Sequence, residues 1–96
     1  MPRSSSSVRR DGDALVFAGA LLREDVAALW RPASNALDGV RRLDVSAVER
    51  IDSAGLALLA ELAARAGGEV AVDGTPEGLA ELRGAYRLSP ALGFAA

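Results

Sequence analysis

The apolar residues of this 96-residue chain change their spacing several times, and this change of period constrains the fold most. Short apolar or alternating stretches at residues 8–11, 14–18, 42–46 and 69–73 are typical of strands. Residues 23–39, 54–66 and 75–87 instead carry apolar residues at helical spacing. The predicted order is therefore β-β-α-β-α-β-α. Strands that alternate with helices indicate an α/β fold with a small, mostly parallel or mixed sheet.

Several residues carry signals about where helices begin or break. Ser53 has the short hydroxyl preferred at a helix N-cap, directly before a helical pattern. Thr75, followed by Pro76, predicts the start of the last helix in the same way. Pro32 lies inside the first helical pattern, where it removes a backbone hydrogen bond and crowds the carbonyl four residues back. We expect a kink at Pro32, or a helix that ends there and restarts.

The composition argues against catalysis. The chain has no Cys and no His, and all 11 cationic side chains are Arg. Missing thiols, imidazoles and amines remove the commonest nucleophiles, general bases and metal ligands. We therefore predict a protein that is not an enzyme and that has no cofactor and no metal site. The Arg residues are scattered rather than gathered in a stripe, so no nucleic-acid partner is predicted.

Residues 1–7 are predicted to be a flexible tail, followed by one domain at residues 8–96. The tail has several serines and no apolar segment of the kind found in signal peptides. No apolar run approaches the roughly 18 residues needed to span a bilayer. We expect a cytoplasmic protein that does not insert directly into a membrane.

The helical pattern at residues 54–66 is more apolar than one helix on a small sheet requires. Leu56 points about 160° away from Leu58 around such a helix. One interpretation is a helix buried on most sides. The other is that the part of the apolar arc near Leu56 faces a partner.

Ser53 and Trp30 each have two interpretations as well. As an N-cap, Ser53 would only stabilise its helix, by about 1 kcal/mol. As an exposed hydroxyl at a helix N-terminus, it would lie where free N–H groups and the helix dipole favour a phosphate. Trp30, the single Trp of the chain, is either a core residue or a contact in an interface, where Trp is enriched.

The segment LDVSAVERIDSAGLALL, residues 43–59, closely resembles the signature of STAS domains. That signature is an apolar strand ending in Asp and a hydroxyl residue, a connection, and then Asp-Ser/Thr-x-Gly before a helix. The predicted element order agrees with the family across about residues 8 to 88. The resemblance implies the STAS fold, which is the fold of anti-sigma-factor antagonists. It also implies that Ser53 is phosphorylated or lies at a partner surface, and that Asp52 supports the same loop.

Within this family the chain looks most like the short STAS subunits of Mla-type phospholipid ABC transporters. The likeness rests on its brevity, on the ALW sequence at residues 28–30 and on the GLALL sequence at residues 55–59. It implies binding to a MlaF-like ATPase subunit, in phospholipid transport that maintains the lipid asymmetry of the outer membrane. It also implies a position peripheral to the inner membrane through the complex. The expected partner-binding residues are Trp30, Asp52, Ser53 and Leu56.

The alternative function within the family is that of an anti-sigma-factor antagonist. In that case phosphorylation of Ser53 by a partner kinase would block binding through added charge and bulk. The residues themselves leave both functions open.

Overall fold

The computed structural model describes residues 6–67 and 70–85 of the chain. The strands are β1 (Ser7–Asp11), β2 (Ala14–Leu21), β3 (Arg42–Ile51) and β4 (Ala71–Asp73), and the helices are α1 (Arg23–Ser34), α2 (Ser53–Arg65) and α3 (Leu79–Ala85). The element order is the predicted β-β-α-β-α-β-α, so the α/β fold class is confirmed.

One sheet joins the strands in the order β1-β2-β3-β4. β1 and β2 form an antiparallel hairpin, in which Gly12 takes the positive φ of 61° that tight hairpin turns require. β2 pairs with β3, and β3 with β4, in parallel. A helix connects each parallel pair, and such connections are right-handed. α1 and α2 therefore lie side by side on one face of the sheet, where they contact each other.

The core lies between this face of the sheet and the two helices. Along β2, Leu15, Phe17 and Leu21 are fully buried, whereas Val16, Ala18 and Ala20 are half-exposed on the other face. Leu59 and Leu62 of α2 belong to the same buried cluster. The period of two in β2 and the helical spacing in α2 thus meet in one apolar layer.

β3 is longer than the sequence predicted. A connection was expected at residues 47–50, but pairing with β2 continues to Ile51. The polar residues Asp44 and Ser46 suggested the end of the strand. In the structure they pair with each other, because Oδ1 of Asp44 accepts hydrogen bonds from the hydroxyl (2.6 Å) and the N–H (2.9 Å) of Ser46. The register shifts beside this pair, between Val16 and Ala18 of β2, so the strand bulges and continues instead of ending. The two bonds from Ser46 also lower the pKa of the Asp44 carboxyl.

α1 includes Pro32 and ends two residues later, at Ser34. Residues 35–41 contain turns and no helix, so of the two alternatives expected at Pro32, a helix that ends there and restarts is wrong. The position near the helix end limits the disturbance, because only the last turn follows the missing N–H. Pro32 itself is exposed and leaves the packed face of α1 undisturbed.

The predicted start of the last helix at Thr75 and Pro76 is also wrong, because α3 begins at Leu79. Glu77 instead forms an isolated parallel bridge with Arg50, and its carbonyl accepts the N–H of Ile51. Gly78 then reverses the chain with a φ of 96°. Pairing with β3 therefore takes precedence over the local capping signal.

Some predicted features lie outside the described residues. The proposed flexible tail falls there except for Ser6 and for Ser7, which belongs to β1. The predicted extension of the last helix to residue 87 also lies outside the described part, as do the domain residues 88–96.

Gly55 lies where α2 approaches the sheet most closely. A Cβ added there would lie 2.1 Å from the carbonyl oxygen of Leu21 and 2.9 Å from Cγ1 of Ile51. The first turn of α2 therefore packs on the ends of β2 and β3, and this contact gives the Gly of the Asp-Ser-x-Gly pattern a physical reason.

Gly55→Ala is expected to lower the free energy of unfolding by about 2 kcal/mol or more, because backbone atoms cannot move aside cheaply. Urea denaturation followed by the fluorescence of Trp30 measures this. Gly84→Ala is the matched control: it is also a helical Gly, but an added Cβ there would meet nothing within 4 Å. Its stability should be unchanged or higher by up to about 1 kcal/mol. Equal stability of the two variants would contradict this account of Gly55.

Candidate partner-binding site at the start of the second helix

The ends of β2 and β3 and the starts of α1 and α2 meet at one edge of the sheet. The N–H of Asp52 donates to the carbonyl of Leu21 (3.2 Å), which ties the start of α2 to the end of β2. In open α/β sheets, the edge at the carboxyl ends of the strands is the usual place for binding sites. Asp52 and Ser53, both chosen from the sequence, lie at this edge.

Asp52, not Ser53, is the N-cap of α2. Its Oδ1 accepts the N–H of Gly55 (2.9 Å), and its Oδ2 accepts the N–H of Arg23 (2.9 Å), the first residue of α1. The prediction that Ser53 caps the helix is therefore wrong. A carboxylate has two oxygens and can hold both helix starts at once, which a hydroxyl in this position cannot.

Hydrogen bonds from backbone N–H groups favour the ionised form of the Asp52 carboxyl. Its burial alone would raise its pKa, but the N–H groups of Gly55, Arg23 and Ala54 together outweigh burial and lower the pKa. The negative charge also lies at the positive ends of two helix dipoles.

Ser53 is the first residue of α2, and its side chain is exposed. Because Asp52 already accepts the N–H groups of the first turn, the hydroxyl of Ser53 is not needed as a cap. Exposure is what both functional interpretations of Ser53 require, whether as a phosphorylation site or as a partner contact.

Leu56 does not face outward. It is 2% exposed and belongs to the core, so the interpretation of α2 as a helix buried on most sides is the correct one for its leucines. The outer surface of α2 carries alanines and the charged pair of Glu61 and Arg65 instead. Ala57 and Ala64 are exposed, and Ala60 is half-exposed. The expected contact of the Leu56 side chain with a partner is therefore not available in this conformation.

The structure shows the contact of Trp30 with the core, and its contact with a partner stays a prediction. Trp30 is half-buried and packs against the core, while the guanidinium of Arg65 lies over its ring, 5.0 Å from the centroid. Arg65 also pairs with Glu61 at 3.0 Å. Trp30 follows Arg23 by seven residues, so it lies about 10 Å along α1 from the edge that carries Ser53. The two side chains therefore belong to the same layer of helices but not to one compact spot.

A cleft that the sequence did not predict opens beside Ser53, between the starts of α2 and α3. Its volume is about 480 Å³. The lining residues are Ile51, Asp52, Ser53, Glu77, Gly78, Glu81 and Leu82. Glu77 and Glu81 are far from Ser53 in the sequence, and their position depends on where α3 begins. No sequence signal placed them here.

Metal binding and membrane insertion are two further properties that bear on function. Among residues 6–67 and 70–85, no three Asp or Glu side chains come close enough together to hold a metal ion. No helix in that part of the chain is long and apolar enough to cross a membrane.

Sequence comparisons identify relatives over nearly the whole chain. A family model described as "Mlab, STAS domain" matches residues 6–91. The protein named "Intermembrane phospholipid transport system binding protein MlaB" in Escherichia coli (strain K12) is 33% identical over 87 residues, covering 88% of this chain and 90% of the relative. The protein of the same name in Shigella flexneri gives the same values.

A structural comparison supports the fold. The anti-sigma factor antagonist SpoIIAA, in its unphosphorylated form, superposes with a TM-score of 0.59 and 14% identity. The match covers 95% of this chain and 87% of SpoIIAA. At this identity the similarity shows the fold alone, and it confirms the expected anti-sigma-factor-antagonist-like architecture.

Asp52→Asn is expected to lower the free energy of unfolding by about 1 kcal/mol at pH 7, because the amide can accept one N–H but not both. The difference from the wild type should shrink below about pH 4. A carboxyl whose pKa is lowered by folding stabilises the fold above its unfolded pKa and loses this effect as the pH falls through the folded value. Denaturation curves at pH 7 and at pH 3 measure both effects.

Asp38→Asn is the control for this experiment, since Asp38 is exposed and its side chain makes no hydrogen bond to another described residue. Its stability should equal that of the wild type at pH 7. If Asp52→Asn behaves like Asp38→Asn, the bridge between the two helix starts contributes nothing.

Proposed function

Because the chain belongs to the MlaB-type branch of the STAS family, we propose that it is the STAS subunit of an Mla-type ABC transporter for phospholipids. In this role it is not an enzyme. It binds the ATPase subunit and supports its assembly and activity, in transport that maintains the lipid asymmetry of the outer membrane. It lies on the cytoplasmic side of the inner membrane, where an ABC ATPase has access to ATP, and reaches the membrane through the complex.

The length of the similarity carries this proposal. The chain covers 90% of the E. coli relative, so nearly all of that protein has a counterpart here rather than one motif. Fold similarity alone would not distinguish among the functions of the family. Identity over nearly the full length favours the transport role over the alternative.

The surface proposed for the ATPase is formed by the outer sides of α1 and α2, from Ser53 to Trp30. Ala57 and Ala64 on this side of α2 leave room for a partner's side chains, and the pair of Glu61 and Arg65 beside them offers polar contacts. Trp30 adds a half-exposed aromatic ring of the kind that dominates binding energy in interfaces. Asp52 contributes indirectly, because it holds the two helix starts together.

The alternative, an anti-sigma-factor antagonist regulated at Ser53, has one structural feature in its favour, the exposure of Ser53. The surroundings of Ser53 favour a phosphate less. Asp52 already occupies the N–H of Gly55, and carboxylates of Glu77 and Glu81 line the adjoining cleft. Mass spectrometry of the protein from its native cells separates the two functions: phosphate on Ser53 would support the alternative, and unmodified Ser53 under all growth conditions would count against it.

Ser53→Arg is expected to weaken binding to the purified ATPase subunit at least tenfold, about 1.4 kcal/mol, because a long charged side chain would separate the two surfaces. Trp30→Ala is expected to weaken it by a similar factor through the loss of an aromatic contact. Biolayer interferometry or calorimetry measures both affinities, and melting temperatures show whether each variant is folded.

Ser7→Arg is the matched control, because Ser7 is an exposed serine on the edge strand β1 and does not belong to the proposed surface. Its affinity should equal that of the wild type. The proposed surface is wrong if folded Ser53→Arg and Trp30→Ala both bind as tightly as the control.

A further inference from the structure

The outer sides of α1 and α2 are joined by a contact between two side chains. Arg65, in the last turn of α2, places its guanidinium over the ring of Trp30 of α1, 5.0 Å from the ring centroid. A cation within about 6 Å of an indole ring is attracted by the negative face of the ring. The two helices are therefore linked at their outer sides by Arg65 and Trp30, as they are linked at their starts by Asp52.

Arg65 is itself held by Glu61, one helical turn earlier. Nε of Arg65 donates to Oε2 of Glu61 at 3.0 Å, and both side chains are about half exposed. Residues four positions apart lie on the same strip of a helix, so this pair needs no distortion of α2. The bond fixes one edge of the planar guanidinium, which limits where its charge can lie. A residue of α2 therefore favours the position of Arg65 over the ring.

Trp30 is thus held from two sides. Its half-buried side chain packs against the core, and Arg65 lies over its ring. Side chains at a protein surface otherwise change rotamer within picoseconds to nanoseconds. Ordering a mobile side chain in an interface lowers the affinity by about two- to tenfold. A ring that already has one orientation before binding avoids this loss.

We propose that Arg65 is a positioning residue of the partner surface. It holds the ring of Trp30 in the orientation in which the ATPase subunit contacts it, and Glu61 holds Arg65. The inference rests on the proposed function, because it concerns the same partner and the same ring. It gives Glu61 and Arg65 a role that their sequence spacing does not indicate, since such pairs are common on exposed helices.

The first measurement uses the free chain, in which Trp30 is the single Trp. Arg65→Gln removes the cation but keeps a long side chain of similar helix propensity. Fluorescence anisotropy decay and quenching by acrylamide should show a more mobile and more accessible ring in this variant. Arg65→Lys keeps a cation and should stay closer to the wild type. A cooperative melting transition shows that each variant is folded, and a ring as ordered in Arg65→Gln as in the wild type would overturn the inference.

The second measurement is the affinity for the purified ATPase subunit. Arg65→Gln should weaken binding about fivefold, which is about 1 kcal/mol. In the Trp30→Ala background the same substitution should change the affinity by less than about twofold, because no ring is left to orient. An equal loss in both backgrounds would mean that Arg65 contacts the partner itself. Tighter binding of Arg65→Gln would mean that Arg65 covers the ring, and either result would overturn the inference.

Arg9→Gln is the matched control. Arg9 is also an exposed arginine beside a carboxylate, 3.6 Å from Asp11, but it lies on β1, outside the proposed surface. It should bind like the wild type, and a loss equal to that of Arg65→Gln would mean that overall charge governs binding and would overturn the inference. If Arg65→Gln binds like the wild type while Trp30→Ala binds weakly, the inference falls and the proposed function stands. If the wild-type chain does not bind the ATPase subunit at all, both fall.

Discussion

The carboxylate of Asp52 joins the two helices on which the candidate site depends. One oxygen caps α2 through Gly55, and the other accepts the first N–H of α1 at Arg23. The two helices are far apart in sequence but start side by side because both follow parallel strands of the same sheet. This bridge fixes the relative position of the helix starts, and with them Ser53 and the edge of the cleft.

The first turn of α2, which Asp52 caps, also packs closely on the sheet. Gly55 is held so near the carbonyl of Leu21 that no side chain fits between them. The carboxylate of Asp52 and the absence of a side chain at Gly55 therefore both fix the position of the first turn of α2. Each residue of the Asp-Ser-x-Gly pattern thus has a separate role. Asp52 accepts N–H groups from both helix starts, Gly55 allows close contact with the sheet, and Ser53 is exposed.

α2 places its leucines in the core and carries small and charged residues on its outer side. The leucines, including Leu56, are buried with Ala63, and the outer side carries Ala57, Ala60 and Ala64 together with the pair of Glu61 and Arg65. The outer side therefore combines apolar patches with one charged pair. Trp30 lies toward one end of this side, and the acidic cleft beside Ser53 lies at the other.

Local sequence signals predicted an element correctly where its backbone hydrogen bonds form within the element, as in a helix. They failed where a segment distant in sequence supplies the hydrogen-bond partners. The helical pattern of α2 is predicted correctly, since the predicted range of residues 54–66 agrees with the observed helix, Ser53–Arg65, to within one residue at each end. β3 was predicted too short because Asp44 and Ser46 resemble a strand end, although β2 continues to pair with the chain beyond them. α3 was started too early because the pairing of Glu77 with Arg50 overrides the cap signal at Thr75.

The sequence by itself determined the order of the elements, the α/β class and the STAS signature, because the apolar period and the Asp-Ser-x-Gly spacing are local properties of the chain. It also identified Asp52, Ser53 and Trp30 as residues of interest. Only the tertiary structure decided that Asp52 is the cap, that Leu56 is buried and that Glu77 and Glu81 flank Ser53. Each of these depends on how the parallel strands bring separate segments to one edge of the sheet. A local sequence pattern does not encode which distant segments become neighbours there.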